Sequence, residues 1–376
     1  MKIFITGGAG FISKWLVRNL PQEAEIILVD SLDPQVHKDQ AEFITELRQR
    51  ATCIKADIRD PDAYVSAMEG TDVFLHLAAQ TGTGQSMYEM SRYVQQNVEG
   101  TAKLLEAING LKQKPRRIIL TSSRAVYGEG AFTDGSNVIY SDGRSLEDLQ
   151  AGRWEIFNRD GQELRPLPMK EEYLANPTSV YGLTKLWQEQ LIENYAKNQK
   201  IDYAIFRLQN VYGPEQALGN PYTGIIGIFT SSIVQKGKVE LFEDGEMTRD
   251  FVYANDVATA LVEGIYYQDN LSKTINVGSG IATSLTELVN LIAKISGKKV
   301  AVNYSGRFRI GDIRHAVADM SQYKSVFGAW QPTSLEQGLR KYWEWYIEQD
   351  PLSEGALSAS LKEMEDNKLL LQREQN

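Results

Sequence analysis

Through the first two thirds of the chain, short apolar runs alternate with stretches whose apolar residues recur every three or four positions. The runs at 2–6, 25–29, 52–55, 73–77, 117–121 and 203–207 predict strands. They are nearly continuous in apolar character, which predicts a sheet covered on both faces. Between them, Phe11, Ile12, Trp15, Leu16 and Leu20 fall at helical spacing, as do Val180, Leu183, Trp187, Leu191 and Tyr195. Strands alternating with helices in this way predict an α/β chain built on a doubly wound parallel sheet. From about Asn210 the text becomes richer in Gly, Pro and Tyr and less regular. This predicts a nucleotide-binding domain over 1–205 and a smaller C-terminal α/β substrate-binding domain over 206–350. Segments near 251–257 and 273–277 are expected to return to the first domain. Residues 129–168 read as a polar insertion, and 351–376 as a charged tail appended to the surface.

Composition narrows the partners. The 376 residues carry a formal net charge of −9, which argues against nucleic acid or an anionic membrane surface as a partner. A phosphate-bearing ligand must then be held by local arginines and backbone amides. The single cysteine, Cys53, excludes an internal disulfide and fits a reducing compartment. Glycines occupy the N-terminal stretch where a signal peptide would need its apolar core, and no run reaches the ~18 apolar residues of a membrane helix. The expected location is the cytoplasm. His37, His76 and His315 are scattered singly, so no metal site is predicted.

Gly7-Gly8-Ala9-Gly10-Phe11-Ile12-Ser13 follows the first predicted strand and opens the first predicted helix. Glycines there let the backbone turn tightly and approach a pyrophosphate, whose charge meets the helix N-terminus. Asp30 closes the next strand about 20 residues on, where a carboxylate accepts ribose hydroxyls and repels a 2′-phosphate. Gly7, Gly10, Phe11, Ile12 and Asp30 are therefore candidates for a dinucleotide site, with NAD favoured over NADP. Tyr181 and Lys185 form Tyr-x-x-x-Lys on the helix predicted after Asn176-Pro177, and this spacing puts both on one face. A phenol, with a reference pKa of about 10, serves as a base at neutral pH only if its anion is stabilised. A neighbouring ammonium and a positive nicotinamide ring would do so. Thr121-Ser122-Ser123 closes another predicted strand, at the end where a parallel sheet presents ligands, which adds Ser122 on the cofactor side and Ser123 as a candidate hydroxyl.

The combination of TGGAGFI, Asp57-Ile58, His76-Leu77-Ala78-Ala79 and YGLTK resembles the extended short-chain dehydrogenase/reductases, the NAD-dependent epimerase/dehydratase family, over most of 1–320. The resemblance implies a Rossmann fold with NAD as cofactor. It places Asp57 and Ile58 beside the adenine, Leu77, Ala78 and Ala79 along the ribose and pyrophosphate, and Asn97 as a brace of the central strands. It also makes Ser123, four residues before Tyr127, the third catalytic hydroxyl with Tyr181 and Lys185. Ser13 replaces the usual third glycine, a packing position at which a small serine is expected to be tolerated. On the substrate side, Asn210 matches an asparagine that binds the substrate diphosphate, with Leu208 and Gln209 in place of the usual aromatics. The segments Arg249-Asp250-Phe251-Val252 and Arg309-Ile310-Gly311-Asp312-Ile313-Arg314 resemble two arginine segments that clamp that diphosphate. Ser123, Asn210, Arg249, Arg309 and Asp312 are thus the implied substrate contacts. Residues 31–37, 84–89 and 216–224 look like those of 4-epimerases acting on dTDP-6-deoxyhexoses such as dTDP-L-rhamnose. So does the insertion at 129–168, expected either as a lid over the sugar or as a surface loop. The family further implies a homodimer.

Epimerisation at C4 of a nucleotide-diphosphate hexose needs the fewest parts. Tyr181 takes the hydroxyl proton, NAD takes the hydride, and both return after the sugar has turned over. A 4,6-dehydratase of this family would carry Asp-Glu directly after the catalytic hydroxyl, where this chain has Arg124 and Ala125. A 4-keto reductase shares the catalytic residues but more often uses NADPH, which Asp30 disfavours. A non-catalytic dinucleotide sensor on the same fold would not require Tyr181, Lys185 and Ser123 together.

Overall fold

Successive side chains of a strand point to opposite faces, and in the first strand both faces find a core. Ile3 and Ile5 are buried with Leu16, Val17, Val257 and Leu261 on one side. Phe4 is buried with Tyr64, Phe74, Ile118 and Ile192 on the other. The computed structural model, which describes residues 1–37, 43–218, 224–349 and 354–373, builds a sheet of seven strands, buried on both faces at its centre and partly exposed at the edge formed by Thr52–Lys55. The seven are β1 (Lys2–Thr6), β2 (Glu25–Asp30), β3 (Thr52–Lys55), β4 (Val73–His76), β5 (Arg117–Ser123), β6 (Asp202–Leu208) and β7 (Lys273–Val277). All pair in parallel, in the order β7-β6-β5-β4-β1-β2-β3. This is the doubly wound Rossmann sheet the sequence predicts, and its winding reverses between β1 and β4, where such sheets bind ligands. The returning segment at 273–277 is β7, an edge of that sheet. The predicted runs at 117–121 and 203–207 both extend further, so that Ser123 and Leu208 pair in register at the strand ends. That register brings Ser123 alongside the segment leading into Asn210.

Three helices bear on the site: α1 (Phe11–Asn19), α2 (Val180–Gln199) and α3 (Ala254–Tyr266). α2 starts at Ser179, whose side chain accepts from Gly182 N at 3.1 Å and so satisfies one of the free amides of the first turn. The apolar stripe that marks α2 as a helix is not its buried face. Trp187 is 37% exposed, and Leu183, Leu191 and Tyr195 are only half-buried. The face turned inward carries Gly182, Thr184, Lys185, Gln188, Glu189, Ile192 and Ala196. The predicted return at 251–257 divides in two. Strand Thr248–Tyr253 lies in a separate three-stranded sheet, between Asn210–Tyr212 and Ala282–Ser284. Val252 of that strand and Val257, Ala260, Leu261 and Ile265 of α3 share the core of α1 and β1.

A further core lies outside the seven-stranded sheet, in which Tyr212, Ile226, Phe229, Leu241, Leu288 and Tyr342 are buried together. The insertion at 129–168 is built into this region. Its strands Ala131–Thr133, Val138–Tyr140 and Arg165–Pro166 form a small sheet. Its Leu149 and Trp154 are buried against Phe308. Arg144 is nearly inaccessible and donates to Glu129 at 3.1 Å, to Glu243 at 2.7 Å and to the Asp312 carbonyl at 2.8 Å. The tail departs from the expected surface appendage. Strand Leu370–Gln372 pairs antiparallel with Arg307–Arg309, and Met364 and Leu370 are buried. Within the segment at 216–224 that resembles the dTDP-6-deoxyhexose enzymes, residues 219–223 lie outside the described residues. No helix among the described residues is long and apolar enough to cross a membrane.

Candidate active site

The C-terminal ends of β1, β4 and β5 and the segment following β6 open onto a cavity of about 460 Å³. Gly7, Gly10, Phe11, Ile12, Asp30, Ile58, Leu77, Ala78 and Ala79 line one side, and Ser123, Tyr181 and Asn210 the other. The glycine turn packs directly against the segment that follows β4. Gly7 has φ +71°, and a Cβ there would stand 2.7 Å from Ala78 N. Gly10 N donates to Gly7 O at 3.1 Å, and α1 begins at the next residue with no acidic side chain in its first turn. A phosphate would thus meet free helix amides and no opposing charge. Asp30 is held in place by Ala9 N at 3.0 Å and Leu32 N at 2.8 Å. Its carboxylate stands at the end of β2 beside His37, whose Nε2 is 3.6 Å away. Ser13 is buried, as a small-residue packing position requires, and its Oγ has no partner among the described residues.

Ser123 stands at the end of β5 and Tyr181 in the first turn of α2. Ser123 and Tyr181 line the same cavity, and Ser123 Oγ accepts from Ala125 N at 3.1 Å. The Tyr181 ring packs edge-on against Tyr93, centroid to centroid 6.4 Å. Burial pushes the phenol pKa up, while Ser123 and the Arg124 guanidinium pull it down. Lys185 differs from the expected arrangement. Its Nζ donates to Gln188 Oε1 at 2.5 Å, and burial lowers its pKa to about 7 against the pull of Glu189. Gln188 Nε2 donates in turn to Thr101 at 2.7 Å and contacts His76 Nε2 at 3.0 Å. Burial lowers the His76 pKa to about 3, so the imidazole is neutral, and its Nδ1 meets Thr6 Oγ1 at 2.7 Å.

Several predicted contacts stand behind the cavity wall. Ser122 points to the opposite face of β5 from Ser123 and donates to Glu189 at 2.5 Å, within the buried pair of Glu189 with Arg207. Asn97 is fully buried. It bonds Gln80 N at 2.8 Å, Gln80 O at 3.1 Å and Thr184 Oγ1 at 3.0 Å, tying the segment after β4 to α2. Asp57 is paired with Arg59 at 2.7 Å, which holds its carboxyl down to about 2. Arg249 and Asp312 spend their charges on each other at 3.0 Å, and Arg249 also donates to the carbonyls of Thr248, Ile313 and Arg314. The Arg309 guanidinium lies over Phe242, 4.9 Å from the ring centroid, and its Nε has no partner among the described residues.

Among the cavity-lining residues that the sequence reading did not name as ligand contacts are Arg124 and Gln209. Arg124 donates through Nε to Asn210 Oδ1 at 2.9 Å and faces the cavity beside Tyr181. Gln209 lines the cavity with both polar atoms of its buried carboxamide unpartnered among the described residues. An unsatisfied buried polar group costs about 1–3 kcal/mol. The signal for Gln209 was its replacement of an aromatic. For Arg124 it was a charged residue directly after a strand-end serine.

Asp30→Asn is expected to weaken NAD binding about tenfold, the loss of one charged hydrogen bond, and to narrow the preference over NADP. Calorimetric titration with both dinucleotides checks this, and parallel losses for the two would remove Asp30 from cofactor selection.

Residues 3–278 match the model of the NAD dependent epimerase/dehydratase family. A dTDP-L-rhamnose 4-epimerase of Burkholderia thailandensis is 38% identical over 354 residues, 93% of this chain and 95% of that protein. Among solved structures, a UDP-glucuronic acid 4-epimerase from Bacillus cereus, in complex with UDP-glucuronic acid and NAD, superposes with a TM-score of 0.74. It is 26% identical, with 93% of this chain and 99% of that one covered. A UDP-glucose 4-epimerase from Thermotoga maritima with UDP-glucose gives a TM-score of 0.72 at 28% identity, over 93% and 99% of the two chains. With its glycine turn, its Ser123 and Tyr181 in one cavity and this agreement over nearly its whole length, the chain belongs to the NAD-dependent epimerase/dehydratase family of nucleotide-sugar enzymes.

Proposed function

We propose that this chain inverts C4 of a nucleotide-diphosphate hexose, a dTDP-6-deoxyhexose, through a transient 4-keto sugar. The observation that carries this reading is the placing of Ser123 and Tyr181 across one cavity from the Gly7–Gly10 turn and Asp30. NAD, when bound, supplies a hydride acceptor that can return the same hydride. Tyr181 Oη, as phenolate, takes the proton of the C4 hydroxyl while the C4 hydrogen leaves with its electron pair. The O–H and C4–H bonds break and a C4=O bond forms. Ser123 Oγ holds the C4 oxygen in line with the phenol. Once the ring has turned in the cavity, hydride arrives at the other face and Tyr181 gives the proton back, so no oxidant is consumed. Lys185 Nζ, one helical turn along α2, is held by Gln188 Oε1 at 2.5 Å, and the positive charge beside the phenol is that of Arg124.

Two further facts support epimerisation within the family. Arg124 and Ala125 follow the catalytic serine, so neither position offers a carboxyl group for loss of water. The 38% identical relative is named as a dTDP-L-rhamnose 4-epimerase. The test is to incubate the purified protein, without added cofactor, with a panel of nucleotide sugars that includes dTDP-L-rhamnose, and to follow C4 configuration by NMR. Interconversion of C4 epimers with no net redox change is expected. Stoichiometric demand for a reduced dinucleotide would make it a reductase, and loss of water would make it a dehydratase.

A further inference from the structure

Gln209 is 4% exposed and lines the cavity, yet neither Oε1 nor Nε2 has a hydrogen-bond partner among the described residues. Its placement is determined by the fold. Gln209 N donates to Val277 O at 2.9 Å, and a Cβ on Gly278 would lie 2.6 Å from Gln209 Cγ, so the side chain occupies room that only glycine leaves. The polar neighbours are committed elsewhere. The Asp250 carboxylate accepts from Ser279 N at 2.6 Å, Ser279 Oγ at 2.7 Å, Gly280 N at 3.0 Å and Ala318 N at 3.1 Å. Asn210 Oδ1 accepts from Arg124 Nε. Native chains satisfy nearly all their buried polar groups, so an orphaned carboxamide in a cavity wall is explained by a group that arrives with a ligand. The residue directly follows Leu208, the register partner of Ser123, which puts it at the reacting end of the cavity.

We propose that the Gln209 carboxamide is a specificity-determining contact, taking from a ligand one neutral group that offers both a donor and an acceptor. Two groups at this end of the cavity have that chemistry: a sugar hydroxyl and the carboxamide of a nicotinamide ring. An aromatic side chain here would offer apolar surface and neither bond. A site that completes its own buried polar atoms with a ligand group rejects ligands lacking that group far more strongly than an apolar pocket does. The sugar arm rests on the function proposed above, whereas the cofactor and folding arms do not.

The experiment uses Gln209→Leu, which keeps most of the volume and removes both polar atoms. Three quantities are compared with the parent: the melting temperature without ligand, the NAD affinity, and calorimetric binding of the tightest-binding panel sugar nucleotide in saturating NAD. The melting temperature is expected to stay level or rise, because removing unpartnered polar atoms relieves a penalty. A loss of about tenfold in sugar-nucleotide binding alone assigns the hydroxyl, and the same loss in NAD binding assigns the carboxamide. A lowered melting temperature with both affinities intact overturns the proposal, because Gln209 would then be satisfied within the fold. Unchanged values throughout overturn it as well. Because binding is measured, a sugar nucleotide that binds without C4 inversion would sink the epimerase reading and leave this one standing.

Discussion

Tyr181→Phe is expected to lower kcat on the order of a thousandfold while NAD binding stays near the parent value, the range for loss of a positioned acid–base group. The substitution removes one oxygen and little else. The ring keeps its edge contact with Tyr93, α2 keeps its cap at Ser179, and the residues at the glycine turn are untouched. What disappears is the one group in the cavity whose pKa is set by a hydroxyl and a guanidinium at its side. In the ligand-free protein burial dominates and the phenol is pushed above its ordinary value. Arg124 and the oxidised cofactor must therefore supply the stabilisation that makes a phenolate accessible near neutrality. Single-turnover kinetics with the sugar identified by NMR separates the chemical step from binding. A variant that turned over at the parent rate would move the base to another residue and dismantle the mechanism.

The second large effect concerns folding. Arg314→Leu is expected to destabilise the protein by about 3 kcal/mol, because one partner of a buried ion cluster is removed and its carboxylates stay behind. Arg314 bonds Glu155 at 2.7 Å, Asp244 at 2.7 Å and Glu243 at 3.0 Å, and its own backbone N donates to Glu129 at 2.9 Å. Glu243 would keep Arg144, and Glu155 would keep His315 at 3.0 Å, which places the loss at the lower end for such pairs. The pH dependence has a definite sign. Burial already pushes Glu243 up, and without Arg314 its folded pKa rises further above the unfolded value. Such a group loses stability as pH rises, so the deficit should be larger at neutral pH than in mildly acidic buffer. Urea unfolding of parent and variant at two pH values measures both. A loss below about 1 kcal/mol would mean that the cluster behaves like an exposed pair.

The parts of the site that could be read from the chain are those whose requirements are local. The positive φ of Gly7 and the turn that brings Gly10 N to Gly7 O are demands that a few adjacent residues make by themselves. Asp30 lies at the end of a strand recognisable from its own apolar run, and Tyr181 and Lys185 are joined by helical spacing alone. The doubly wound parallel sheet followed from the alternation of strands and helices, and the family model spans the same segment. The parts that could not be read depend on partners far away in sequence. α2 is marked by the apolar stripe through Leu183 and Trp187, yet it buries Lys185, Gln188 and Glu189, because Arg207 and His76 wait on the strands beneath. Arginine segments suggested Arg249 as a diphosphate clamp. The fold instead engages it with Asp312 and three carbonyls, and aims Arg124 at the cavity. The insertion at 129–168 read as either a lid or a surface loop, and the tail as a surface addition, because Arg144 meets Glu243, and Leu370 meets Arg309, only once the chain has folded. Spacing along the chain can place a residue on a strand end or a helix face. Which charge is neutralised, and which is left for a ligand, is decided by desolvation among residues that only the tertiary structure brings together.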